Sequence, residues 1–255
     1  MAAPEPKEIY ERTRDEGRRR LSRPLIELAA TSLVGGFDVA FGVAAFGLAG
    51  ASVSGSVSHL VGALAFGVGF VFIAVGKSEL FTENFLVPIT GLERTRGSLL
   101  KLGELWVSAL VLNIVGGALL ALILTSEGVL RPGSKEVLAR LADEIAGYDV
   151  LTGFLSAVVA GGLMTLMTWF IEGAADSIGI RIVMAWVVGA LIALGTFNHA
   201  IVSTIELFFG RRFGADISFG EIAGNLGVSV VGNLVGGLLL VTFVRSAQAM
   251  GSGRG

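Results

Sequence analysis

Six stretches of this chain are apolar and at least as long as a bilayer is thick: 25–49, 58–90, 103–125, 150–171, 181–209 and 221–244. About 20 apolar residues carry a helix across about 30 Å of hydrocarbon. Inside that layer every backbone polar group must be satisfied by the protein, which leaves helices or closed barrels. The two-residue alternation of a membrane barrel is absent. The expected fold is therefore an all-α integral membrane protein with six transmembrane helices. Composition supports this: only 16% of residues are charged, and the chain holds 37 glycines. Small residues let membrane helices approach backbone to backbone.

The polar regions set domains and orientation. Residues 1–24 form a basic arm with seven Lys and Arg, 25–244 the membrane domain, and 245–255 a tail. No cleavable signal peptide is read in the arm. The arm reads as a surface helix flanking the first span, not as a nucleic-acid site. With the arm in the cytoplasm, thirteen Lys and Arg fall inside and five outside, so both termini are expected to be cytoplasmic. The inside set includes Arg94, Arg96, Lys101, Arg181, Arg245 and Arg254. The acidic connection 126–149 is expected to lie outside the bilayer. The absence of cysteine excludes disulfides and thiolate chemistry.

The domain repeats internally. Asn113-Ile-Val-Gly-Gly-Ala-Leu-Leu120 in the third span matches Asn233-Leu-Val-Gly-Gly-Leu-Leu-Leu240 in the sixth, at an offset of 120. A three-span unit repeated once, about 25–125 and 150–244, must reverse its topology in the second copy. This is the inverted 3+3 architecture of many transporters. The second and fifth spans are anomalous in the same way. As one helix, 58–90 would run about 50 Å, and it carries Lys77, Glu79 and Glu83 near its middle and Pro88 later. Charges at mid-depth must face protein or water. A break around Gly76–Glu83, with two half-helices, is predicted. The fifth span is interrupted at Leu194–Ala200. Subtracting the offset from Asn198 and His199 gives Ser78 and Glu79, so both breaks occupy equivalent places. Paired interruptions mark a transport pathway, where half-helix N-termini favour an anion or polar solute. His199 is the single histidine inside a span and a candidate proton carrier. His59, in the first outside loop, is given no role.

At these breaks the chain resembles a known family. Glu79-Leu-Phe-Thr-Glu-Asn84 and Phe197-Asn-His-Ala-Ile-Val202 resemble the paired loop motifs of the formate/nitrite transporters, and the resemblance covers about 25–244. It implies an aquaporin-like fold, a homopentamer with one pore per protomer in a prokaryotic cytoplasmic membrane, and passage of small monovalent anions with proton coupling. It implies that His199 is the central pore histidine, Thr82 its hydrogen-bonding partner and Phe81 one apolar constriction. Phe66 is a candidate for the other. Asn198, Phe197, Glu79 and Lys77 complete the expected pathway.

The chain also departs from that pattern. Glu83 stands where a small residue is usual, and Glu206 lies on the half-helix after His199. The family lysine before the fourth span and the asparagine within it are absent, their places falling near Ile145 and Gly161. Asp38, Glu79, Glu83 and Glu206 against Lys77 leave a formal −3 within the membrane. A negative lining repels anions. These departures resemble the divergent YfdC-type branch. Glu79 and Lys77 are expected either to pair and shape the break or to line the path. Glu83 and Glu206 are candidates for an altered selectivity filter. Glu104, Asp216 and Glu221 read as helix-start charges, and Gly116, Gly117, Gly232, Gly236 and Gly237 as close packing. Two functions stand: an anion channel, proton-coupled through His199, or a cation or neutral-solute pore of the same fold with Glu83 and Glu206 setting selectivity. No metal cluster, nucleophile motif or phosphate loop is visible. An enzyme is not expected, nor are a cofactor or a nucleic-acid partner; lipid, a small solute and copies of the chain are.

Overall fold

The computed structural model describes residues 4–93 and 95–251; Arg94 and Arg254, counted in the charge bias, lie outside them. In chain order the helices are α1 (Pro6–Leu21), α2 (Leu25–Gly50), α3 (Val57–Gly76), α4 (Val87–Thr90), α5 (Arg96–Leu124), α6 (Ser134–Ala146), α7 (Val150–Gly173), α8 (Ile178–Leu194), α9 (Ala200–Arg212), α10 (Phe219–Val235) and α11 (Val244–Gly251). A 3₁₀ turn, Phe81–Phe85, precedes α4, and a π-helical stretch, Gly236–Phe243, joins α10 to α11 without interruption. No strand is present among the described residues. Among the described residues, five helices are long and apolar enough to cross a membrane: α2, α3, α5, α7 and the continuous helix Phe219–Gly251. The sixth apolar segment, α8, has 17 residues. It stops at the predicted break and is continued by α9.

Apolar side chains on the rim of the bundle point outward, as on α5, where Val107, Val111, Leu119 and Ile123 are exposed. Between helices, small residues make the contact. A Cβ at Gly116 would collide with the carbonyl of Leu33, and one at Gly236 with that of Val158. Lipid is as apolar as the side chains, so this close packing, not hydrophobic burial, brings the helices together.

Both breaks exist. After α3 the chain turns through Lys77 at φ 56°, and after α8 through Thr196 at φ 45°. These are the two non-glycine residues with left-handed backbone among those described. Such conformations are uncommon and strained, most of all for a β-branched residue. The second half of the first interruption is shorter than the half-helix predicted for it. It consists of the 3₁₀ turn and the four residues of α4. Pro88 cannot donate to a preceding turn, and Asn84 leaves helical geometry at φ −89°, ψ 18°. In contrast, α9 runs 13 residues, with His199 as its N-cap.

Each break is held by one asparagine. Phe81 N donates to Asn113 Oδ1 (2.8 Å), while Asn113 Nδ2 donates to Ser32 O (2.6 Å) and Glu79 O (2.9 Å). Ala200 N donates to Asn233 Oδ1 (2.8 Å), while Asn233 Nδ2 donates to Ala157 O (2.8 Å) and Asn198 O (3.1 Å). The two asparagines match at the repeat offset of 120, but the loops match at one residue less. Lys77 corresponds to Thr196, Glu79 to Asn198 and Phe81 to Ala200. His199 therefore corresponds to Leu80, not to Glu79 as the sequence offset suggests.

The polar connection 126–149 contains a packed helix. One face of α6 buries Val137, Leu138, Leu141, Ala142 and Ile145. Its Leu138 fills the space beside Gly47 of α2, and its Ala142 that beside Gly210 of α9. Thus α9 leads from the second break toward α6, at the far end of α2 from the arm. The first break leads, through α4, toward the arm itself. Gly17 of α1 lies against the backbone of Val87, and Gly91 against that of Gly17 and Arg18.

Two expectations follow. Asn113→Ala or Asn233→Ala leaves a buried backbone N–H and two carbonyls without their partner, at a cost of about 1–3 kcal/mol; either variant should melt earlier in detergent. A variant as stable as the parent would show that the loops hold themselves. The second concerns the arm. Burial alone would push the Glu16 carboxyl up, but hydrogen bonding from Arg19 and the charge of Arg20 outweigh it and hold it at about 2, against 4.5 for a free glutamate. A depressed carboxylate contributes fully above its free value of 4.5 and loses that contribution progressively as pH falls from there through about 2. A spin label at Glu11→Cys should therefore be equally immobile from pH 5 to 8, and should gain mobility when Gly17→Val is added.

Candidate functional site

The two interruptions meet at His199 and Thr82, both fully buried. His199 Nε2 lies 2.7 Å from Thr82 Oγ1, joining residues 117 apart in sequence. The other ring nitrogen, Nδ1, accepts from Val202 N (3.1 Å), and His199 N donates to Ser203 Oγ (3.1 Å). An imidazole nitrogen that accepts a backbone N–H carries no proton, so the neutral ring must hold its proton on Nε2. Thr82 is then the acceptor of that proton. The ring thus does two things: it caps α9 and aims an N–H at the loop opposite. The positive end of the α9 dipole reinforces that donor.

Aromatic rings flank this pair. The Phe70 ring meets His199 edge-on at 6.4 Å and packs on Phe66 at 5.5 Å. Phe81 packs edge-on with Phe85 at 5.0 Å and with Trp106 at 6.5 Å. Trp106 Nε1 donates to Asn84 O (2.9 Å), fixing the end of the 3₁₀ turn. Phe70, Phe85 and Trp106 were not singled out in the sequence. Phe70 was recoverable, since it lies one turn after Phe66 on the same helix face.

The remaining expected residues divide by what they touch. Asn198 is turned toward α7 and α10: its Nδ2 donates to Gly153 O (3.2 Å) and Asn225 Oδ1 (2.9 Å), and Asn225 Nδ2 returns a bond to Asn198 Oδ1 (3.0 Å). Asn225 was not anticipated, although it stands eight residues before Asn233 on one apolar span. Phe197 folds its ring over Gly195, where a Cβ would clash. Glu83 Oε2 accepts from Leu80 N (2.8 Å) and so caps the 3₁₀ turn. Glu206 lies two turns beyond His199 on α9, is 5% exposed and has no hydrogen bond or salt bridge among the described residues. Ser78 donates to Asp38 Oδ2, and His59 Nε2 sits 3.1 Å from the carbonyls of both Ala193 and Leu194 at the end of α8. His59 thus stabilises the helix that leads into the second break.

The expected Glu79–Lys77 pair does not form. Lys77 is exposed at the left-handed turn. Glu79, 1% exposed, is instead bound by two arginines of the arm: Arg23 Nη1 donates to its Oε2, and Arg20 Nη1 lies 3.5 Å from its Oε1. Arg20 also donates to Asn84 Oδ1 (3.1 Å) and to Glu16 Oε1 (3.1 Å). The turn at Lys77 explains the substitution, because it aims that side chain outward while Glu79 points into the bundle toward α1. Beside these groups a cavity of about 330 Å³ opens on the arm side of the first break. The basic flank was legible in the sequence; its insertion was not. Among the described residues no cluster of His, Asp and Glu suited to a metal occurs.

Comparison with known proteins agrees with this architecture. The family model described as formate/nitrite transporter matches residues 7–247. The inner membrane protein YfdC of Escherichia coli (strain K12) is 23% identical over 245 residues, covering 94% of this chain and 77% of its own. Among solved structures, an FNT family ion channel superposes with a TM-score of 0.80 at 18% identity, over 94% of this chain and 98% of that one. A pentameric formate channel with formate bound superposes with a TM-score of 0.73 at 18% identity, over 88% of this chain and 97% of that one. A match over nearly the whole length, on a helical scaffold of the same fold, establishes that the chain belongs to the formate/nitrite transporter family.

Proposed function

We propose that the chain is a membrane channel for a small monovalent anion of the formate or nitrite kind, passing through each protomer of a homopentamer. In this reading six segments cross a prokaryotic cytoplasmic membrane as an inverted 3+3 repeat, α3 with α4 and α8 with α9 forming the two broken spans. The arm and both termini face the cytoplasm. The observation that carries the reading is the 2.7 Å contact between His199 and Thr82, where two symmetry-matched interruptions meet among aromatic rings. Matched interruptions of this sort mark solute sites in transporters.

The chemistry follows from the neighbours. Phe66, Phe70 and Phe81 make the approaches apolar, which opposes a fully hydrated ion. At the centre, the Nε2–H of His199 and the hydroxyl of Thr82 offer hydrogen bonds to a carboxylate or nitrite oxygen. Proton coupling through His199 requires a transient imidazolium. Nδ1 must then release Val202 N–H and take a proton from water; the imidazolium gives its Nε2 proton to the anion, which continues as the neutral acid, and the ring resets by returning the Nδ1 proton to water as Nε2 is reprotonated. A second reading, a cation or neutral-solute pore, is favoured by Glu206. This buried carboxyl has no hydrogen-bond or salt-bridge partner among the described residues. Glu83 gives that reading less support, since a backbone N–H engages it.

Proteoliposomes loaded against formate and nitrite separate these readings. Thr82→Val removes one hydroxyl at constant shape and should slow formate flux about tenfold, the equivalent of one hydrogen bond. His199→Ala and His199→Asn should flatten the dependence of flux on pH; unaltered pH dependence in both would remove His199 from proton transfer. Glu206→Gln should shift the reversal potential under a salt gradient toward the anion if that carboxylate faces the permeating solute. An unmoved potential would make Glu206 a packing residue and leave the second reading without its support.

A further inference from the structure

We infer that Arg20 and Arg23 of the arm set the charge selectivity of the arm-side mouth, by supplying the positive charge that cancels the acids of the first break. The inference rests on the anion-channel reading and adds to it a specificity determinant from outside the membrane domain.

The membrane domain alone presents the wrong charge to an anion at this mouth. Around the cavity, α2 to α8 contribute Glu27, Glu79, Glu83 and Glu172, against Lys77 and Arg181. The arm adds Arg19, Arg20 and Arg23 with a single acid, Glu16. With the arm in place, five bases therefore face five acids; without it, two bases would face four. The arm's arginines are also the ones placed deepest. The side chains of Arg20 and Arg23 are 10% and 5% exposed, and that of Glu79, which both contact, is 2% exposed. Charges so far removed from water act strongly on one another and on any ion that enters. A Glu79 stripped of these partners would be a buried, uncompensated negative charge.

The docked arm does not close the mouth. A cavity of about 330 Å³ persists beside the arginines. Glu79 Oε1 and the Nε atoms of Arg23 and Arg181 have no hydrogen bond. The backbone-to-backbone seat of Gly17 on Val87, and of Gly91 on Arg18, makes α1 a wall of the vestibule. This predicts the reverse of a plug: freeing the arginines should cost anion passage, where freeing a plug would increase it.

The test is the reversal potential of the full-length protein in planar bilayers under gradients of potassium formate and potassium chloride. Arg20→Gln with Arg23→Gln should lower the formate-to-potassium permeability ratio about tenfold. Adding Glu79→Gln and Glu83→Gln should restore it, because the charges again balance. An unchanged ratio, or a larger anion current at constant ratio, would overturn the inference, the latter by making the arm a plug. If the parent protein passes no formate, the channel reading under test above fails by itself. The inference then stands or falls on potassium: the double variant must open a potassium permeability that the fourfold variant closes. Should the double variant not assemble, Glu83→Gln alone, which keeps the arm seated on Glu79, must raise the ratio; a constant ratio would overturn the proposal equally.

Discussion

A backbone amide or carbonyl buried inside a helical bundle has no water to turn to, and this structure opens its backbone there twice. Everything at the site depends on how those groups are satisfied. Asn113 and Asn233 each receive one loop N–H and return two bonds to carbonyls, one in the loop and one on a neighbouring helix. An asparagine suits the task because its amide carries an acceptor and two donors on one short, neutral group. A carboxylate would lack the donors and bring a charge. With the loops pinned, the strained turns at Lys77 and Thr196 can persist, and α9 can begin inside the bundle with its N-terminus aimed at the opposing loop.

That helix start explains why a histidine suits position 199. The residue is an N-cap, a place where a side-chain acceptor is needed for a free N–H. Nδ1 fills this role and thereby fixes the tautomer that turns Nε2–H toward Thr82. Structure and chemistry are coupled in one ring. Any event that protonates it also loosens the first turn of α9.

Much of this was legible in the residues. Apolar runs of bilayer length gave the helices, and charges inside the second run forced a break, because no continuous lipid-facing helix tolerates Lys77, Glu79 and Glu83. The matching asparagine octets pointed to the scaffold that holds both breaks. Other features were out of reach for physical reasons. The lengths of the loops hid the one-residue difference between helix offset and loop offset. The pairing of Glu79 depends on where Lys77 points, which one left-handed residue decides. The arginines of α1 read as a solvated flank because hydropathy reports the composition of a segment and not its docking; the contact is made by Gly17 and Gly91, which carry no charge signal. The amphipathic face of α6 was likewise concealed in a polar connection.

The π-helical stretch in the last span has a consequence for phasing. Asn233 reaches the second break, and nine residues later Thr242 donates to Phe85 O (2.8 Å) in the first. At ordinary pitch nine residues are two and a half turns, which would set the two side chains on opposite sides of the rod. The wider coil over Gly236–Phe243 takes back a large part of that half-turn, so a single helix can serve as a strut for both loops. Rewinding this stretch to regular pitch at constant length would rotate one of the two attachments away from its loop, whereas deleting one residue as it rewinds would leave them eight residues apart on one face.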